Sequence, residues 1–159
     1  MLDWSLLAKG LRMKKTTGAR PLDEAKAGEP PPASVHLATV IASVPGIAEQ
    51  SLRATLDALP LVRVVGTAAG CLSALRMVQQ RQVDLVVIDS NLPLEDVHVF
   101  LRQLKQEGLN TRSLVLAATT AHVRAALAAG ADAALRRDVS IRQLGAVLAG
   151  FQPATPLAS

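Results

Sequence analysis

A doubly wound parallel α/β sheet is the fold class this sequence predicts, and three observations predict it. From residue 35 onward, short runs rich in Val, Ile and Leu alternate with segments of helical period, five of each in strict order. One run, VDLVVID at 83–89, is apolar enough to be buried on both faces, as a central parallel strand is. The chain has 159 residues, half of them apolar, which is enough for one core. Strand–helix alternation implies parallel strands joined by right-handed crossovers, so helices cover both faces. The expected product is a flavodoxin-like five-stranded sheet of order 2-1-3-4-5.

Each element has its own signal. Residues 35–43 are apolar and β-branched, a first strand, and 47–59 follow with helical period. Residues 61–65 predict the second strand and 71–81 the second helix. Residues 83–89 are the third strand. Residues 94–107 form a helix with Val97, Leu101 and Leu104 on one side. Residues 113–117 are the fourth strand, followed by an Ala-rich helix over 120–129 that Gly130 ends. Residues 132–135 are a short fifth strand. Ser140 then caps a helix whose Ile141, Leu144, Leu148 and Phe151 form an apolar stripe. In such a sheet, functional groups collect at the carboxyl ends of the strands. The positions of interest are therefore Ser43, Val44, Asp89, Ala117 and whatever follows Leu135.

The sequence divides into a basic arm over 1–20, a Pro-rich linker over 21–34, a folded domain over 35–152 and a tail over 153–159. Pro30, Pro31 and Pro32 forbid helix and favour an extended spacer. The arm holds Lys9, Arg12, Lys14, Lys15 and Arg20 against Asp3 alone. It also offers a short amphipathic helix in which Trp4, Leu7 and Leu11 share one face, a candidate docking stripe for a partner. This extension is otherwise expected to be mostly disordered. Much of the net charge of +4 belongs to the arm, so the charge is no reason to expect nucleic-acid binding by the domain. Aromatics at 2% argue against base-stacking platforms.

Several functions lack a motif. No phosphate-binding glycine loop and no G-x-S-x-G elbow occurs. His36 and His122 have no second ligand at metal spacing. Asp96-Val97-His98 is similar to the start of a cobalamin-binding D-x-H-x-x-G, but Leu101 stands where the glycine belongs. One cysteine, Cys71, excludes an internal disulfide framework and fits a reducing cytoplasm, where the protein is expected. The longest apolar stretch, 114–135, carries Arg124 and Asp132, so no transmembrane segment is expected. Arg136, Arg137 and Arg142 form a basic cluster after the fifth strand that suits an acidic partner.

Four stretches carry a family resemblance: RVVGTAAGCLSAL (63–75), VDLVVIDSNLP (83–93), LVLAA (114–118) and AAGADAALRRD (128–138). The order Asp84, Asp89, Pro93, then A-G-A-D at 129–132, resembles the CheY-like receiver domain of bacterial response regulators, in particular the NarL/FixJ type. The resemblance runs from about Val35 to Phe151. It implies two-component phosphorelay signalling through a nucleophilic aspartate, with an acidic pair to hold Mg²⁺, a strand-4 hydroxyl, a strand-5 lysine and an aromatic switch residue.

Asp89 takes the nucleophile's position by this resemblance. The acidic pair falls at Ser43 and Val44, and no Asp or Glu occurs between Glu29 and Glu49. Ala117 stands for the hydroxyl, Ala134 for the aromatic and Arg137 for the lysine. Arginine keeps the charge but not the shape. The leading expectation is a stand-alone atypical receiver, or pseudo-receiver. It would be a non-enzymatic module that binds a protein partner or homodimerises, holds no cofactor or metal, and keeps Asp89 as a vestigial phospho-acceptor. Asp89 would then pair with Arg137 or cap local amides. The alternative is a phosphorelay regulator accepting phosphate on Asp89 with a relaxed Mg²⁺ site. The chain ends eight residues beyond Phe151 with no helix-turn-helix effector in view, so DNA binding is not expected.

Overall fold

A computed structural model of the chain describes residues 36–151. The arm with Trp4, Leu7 and Leu11, the Pro-rich linker and the tail lie outside the described residues. Five strands and five helices alternate. They are β1 (Leu37–Ala42), α1 (Ile47–Asp57), β2 (Val62–Ala68), α2 (Cys71–Gln80), β3 (Leu85–Ile88), α3 (Leu94–Gln106), β4 (Arg112–Ala117), α4 (Thr120–Ala128), β5 (Ala133–Arg136) and α5 (Ile141–Ala149). The sheet order is β2-β1-β3-β4-β5 and all pairings are parallel, as the alternation predicts.

The period of two along each strand sorts the core into two halves. Val40 and Ala42 of β1, with Val86 and Ile88 of β3, meet α2, α3 and α4 through Ala74, Val78, Phe100, Leu101 and Ala126. Leu37 and Ile41, with Leu85 and Val87, face the opposite way and meet α1 and α5 through Leu52, Leu56, Leu144 and Leu148. β3 is buried along its whole length. Leu144, Leu148 and Phe151 join this core, but Ile141 at the head of the same stripe is 47% exposed.

Two helix ends fix how chain returns to the sheet. Gly108 and Gly130 adopt left-handed φ of 64° and 113°. Leu109 N–H reaches the Leu104 carbonyl at 3.3 Å, and Ala131 N–H reaches that of Ala126 at 3.0 Å. Gly108 and Gly130 N–H close the inner bonds to Lys105 and Leu127. Both are Schellman turns, which need a residue free to take positive φ. At the start of α4 and α5, the hydroxyls of Thr119 and Ser140 accept from the backbone N–H of His122 and Gln143.

β2 runs three residues past its predicted end. Its pairing with β1 shifts register between Thr39 and Val40, and this lets Gly66, Thr67 and Ala68 pair with Val40, Ile41 and Ala42. β5 begins one residue later than predicted, because Asp132 uses its side chain on β4 instead of extending the strand. The Asp132 carboxylate accepts from Ser113 N–H at 2.9 Å. Asp84 does the same ahead of β3, accepting from Ala38 N–H at 2.8 Å. No helix among the described residues is long and apolar enough to cross a membrane.

Candidate functional site

The carboxyl edge of the sheet gathers the loops after β1, β3, β4 and β5. Asp89, the residue just past β3, sits at their centre with its side chain fully buried. A carboxylate so placed needs hydrogen bonds to every lone pair it can offer. Ser90 N–H donates to Oδ1 at 2.7 Å, and the Ser43 hydroxyl donates to Oδ2 at 3.0 Å. The Arg137 guanidinium closes the set as a fork, with Nε 3.2 Å from Oδ1 and Nη2 3.3 Å from Oδ2. One charge-assisted hydrogen bond, from Nη2 to Oδ2, and the close Nε–Oδ1 approach make this an ion pair on both oxygens. The Arg137 side chain is 41% exposed, so the pair has one wet face. Its backbone is pinned as well, with Arg137 N–H donating to the Ala117 carbonyl at 2.8 Å.

The two positions matched to the acidic pair behave differently. Ser43 is buried and turned onto Asp89, whereas the Val44 side chain is exposed. Asn91 bridges them: its amide donates to the Ser43 hydroxyl at 3.2 Å, and its Oδ1 accepts from Val44 N–H at 3.2 Å. Asn91 is the site residue that sequence reasoning missed. It carries no motif of its own, and its partners lie 47 and 48 positions away. The negative charge at the heart of this edge is a single carboxylate, and it faces a cation.

Ala117 ends β4 buried, with no hydroxyl to offer. Thr119, two residues on, commits its oxygen to capping α4. Ala134 lies half-buried on β5 against the core under α2, α3 and α4. A small cavity of about 150 Å³ opens beside Asp89, floored by Val97, Val115 and Ala117 with His122 on its lining. The basic cluster of the sequence is divided: Arg137 turns inward, Arg136 pairs with exposed Asp138 at 2.8 Å, and Arg142 is exposed on α5 with no ion pair among the described residues. His98 on α3 is partly buried, and its Nε2 has no hydrogen-bond partner. Burial, and after it the nearby Asp96 carboxylate, pushes the Cys71 thiol up to about 11.

The topology, with an aspartate at the end of β3 and a cation after β5, defines a class. The family model for the response regulator receiver domain matches residues 46–149, and the chain belongs to that family. Solved structures agree on the fold. The signal receiver domain of the NarL protein from Mycobacterium tuberculosis superposes with a TM-score of 0.65 at 22% identity, covering 72% of this chain and 94% of that one. The receiver domain of a sensor histidine kinase from Pseudomonas aeruginosa, described with a magnesium ion coordinated in its active-site cleft, gives 0.64 at 19% identity, covering 73% and 97%. The isolated receiver domain of RcsB from Salmonella enterica serovar Typhimurium, with phosphomimetic BeF3⁻, gives 0.62 at 17% identity, covering 77% and 94%. No curated protein matches the chain significantly. The chain is thus the receiver domain of a response regulator, a signalling module by class.

Proposed function

We propose that this receiver is atypical: a protein-interaction module, without enzymatic activity, that is not switched by Mg²⁺-dependent phosphorylation. The observation that carries this reading is the closure of Asp89 by Arg137 and Ser43, at 3.2 and 3.0 Å. Phosphoryl transfer to an aspartate requires cations to neutralise the incoming anion and a carboxylate free to attack. Here the cation present already neutralises the carboxylate itself. Mg²⁺ wants near-octahedral oxygen ligands and is usually held by one or two carboxylates with waters and phosphate. One carboxylate, with its oxygens committed to a guanidinium, a hydroxyl and an amide, does not fit that ion. Arg137 supplies the positive charge that a metal would bring. The lone buried thiol of Cys71 supports placing the module in a reducing cytoplasm.

A second reading rests on Asp89 itself, an aspartate at the position where receivers accept phosphate, with a cation in reach. In that reading Arg137 swings away and Asp89 serves a phosphorelay with a relaxed metal site. Calorimetric titration of the full chain with Mg²⁺ separates the two. The first reading expects no saturable heat at millimolar ion. Millimolar binding that disappears in Asp89→Ala favours the relay.

A further inference from the structure

We propose that the groove between α2 and α3 is a docking surface for a basic amphipathic helix of a partner protein. This surface is built away from Asp89 and holds whichever state that residue adopts. Its floor is Leu75 and Phe100, and its walls are Leu72 and Val99. Phe100 and Cys71 belong to the core, whereas Leu72 is 65% exposed and Val99 is 52% exposed. An aliphatic pair left in water on facing helices is an uncovered apolar strip, and covering it is favourable by about 25 cal/mol per Å². The groove encloses about 300 Å³. That is roughly twice a ~150 Å³ cavity able to hold one benzene, so it takes about two large apolar side chains. Two such anchors at i and i+3 or i+4 are what one face of a helix presents.

Charge decides the partner's chemistry. Asp96 is the carboxyl side chain lining the groove, and it makes no ion pair or hydrogen bond among the described residues. Cys71 beside it stays neutral. Beyond the lining, Glu107 accepts from the amide of Gln103, which lines the groove, and from that of Gln79 on the facing helix, neutral donors that leave its charge uncompensated. Arg76 and Arg102, on the same two helices, are not among the lining residues. Acidic groups thus stand at both ends of an apolar strip. An occupant whose apolar face is flanked by Lys or Arg matches this pattern, and an acidic one is repelled.

The test uses the full chain and two model peptides, an amphipathic leucine–lysine helix and its leucine–glutamate counterpart with the same spacing. Binding is read by fluorescence anisotropy and mapped by amide chemical shifts. The expected result is saturable binding of the lysine peptide, with shifts concentrated on α2 and α3. Leu72→Ser or Val99→Ser should weaken it about tenfold, and Asp96→Asn, which removes the charge without placing a cation at the helix start, should weaken it severalfold. Equal binding of both peptides, no binding, or shifts centred elsewhere would overturn the proposal. So would a concentration-dependent dimer abolished by Leu72→Ser, which would assign the groove to a second copy of the chain.

Discussion

The two edges of the sheet use the same residue type in opposite ways. At the amino edge, Asp84 is half-buried and Asp132 exposed, and each accepts from a backbone N–H of the neighbouring strand. At the carboxyl edge, Asp89 is fully buried and is held by side chains from the loops after β1 and β5 as well as by its neighbour's amide. The difference teaches what burial does to a carboxylate. Near water it is a fastener, and its loss leaves an amide that solvent can still reach. Away from water it is a charge that must be answered by another charge, so its partner matters more than the residue itself.

This contrast can be broken at several points. The largest expected effect is at the carboxyl edge. Arg137→Ala leaves a buried charge unpaired and should cost about 2–3 kcal/mol in urea unfolding, below the ~3–5 kcal/mol typical of fully dry pairs because one face of the guanidinium is wet. Arg137→Lys should fall between, since it keeps the charge and loses the fork. At the amino edge Asp84→Ala should cost about 0.5–1.5 kcal/mol, the net worth of one hydrogen bond whose N–H water can take over. If Asp84→Ala proves the more damaging of the two, the distinction between the edges fails.

A smaller effect is expected at Gly130, where a Cβ would meet Lys105 Cε at 3.0 Å in a left-handed backbone. Gly130→Ala should cost about 1 kcal/mol. The smallest concerns Arg136, whose partner Asp138 is as exposed as itself. Arg136→Ala should shift stability by less than about 0.5 kcal/mol. Cys71 adds a pH test. Its thiol pKa is raised in the folded chain, from 9.0 to about 11, so the folded state binds the proton more tightly. Its contribution to stability is complete below pH 9 and is lost as pH rises toward 11. Alkylation at pH 8 should be slow in buffer and fast in denaturant.

Much of this architecture was legible because burial leaves a periodic trace. β3 reads as a strand because all four of its residues are buried, and α3 because Val97, Leu101 and Leu104 recur on one face. The β2 end was not legible: Gly66 interrupts the apolar run, and the register shift that leaves Val65 of β2 without a partner on β1 carries the strand on to Ala68. Ile141 fits the stripe by spacing, yet it opens its helix at the sheet's margin, where nothing covers it. At the site, the pairing of Asp89 with Arg137 was readable as an ion pair between two strand ends. The Asn91 bridge to Ser43 and Val44 was not, since an amide that bonds across 47 residues leaves no local pattern.

An Asp89 that Arg137 and Ser43 hold as proposed takes no part in phosphoryl chemistry. Incubating the full chain with acetyl phosphate and Mg²⁺ and measuring the intact mass tests this most directly. The expected result is an unchanged mass. A stoichiometric adduct of about 80 Da, one phosphoryl group, that is absent in Asp89→Ala would contradict it.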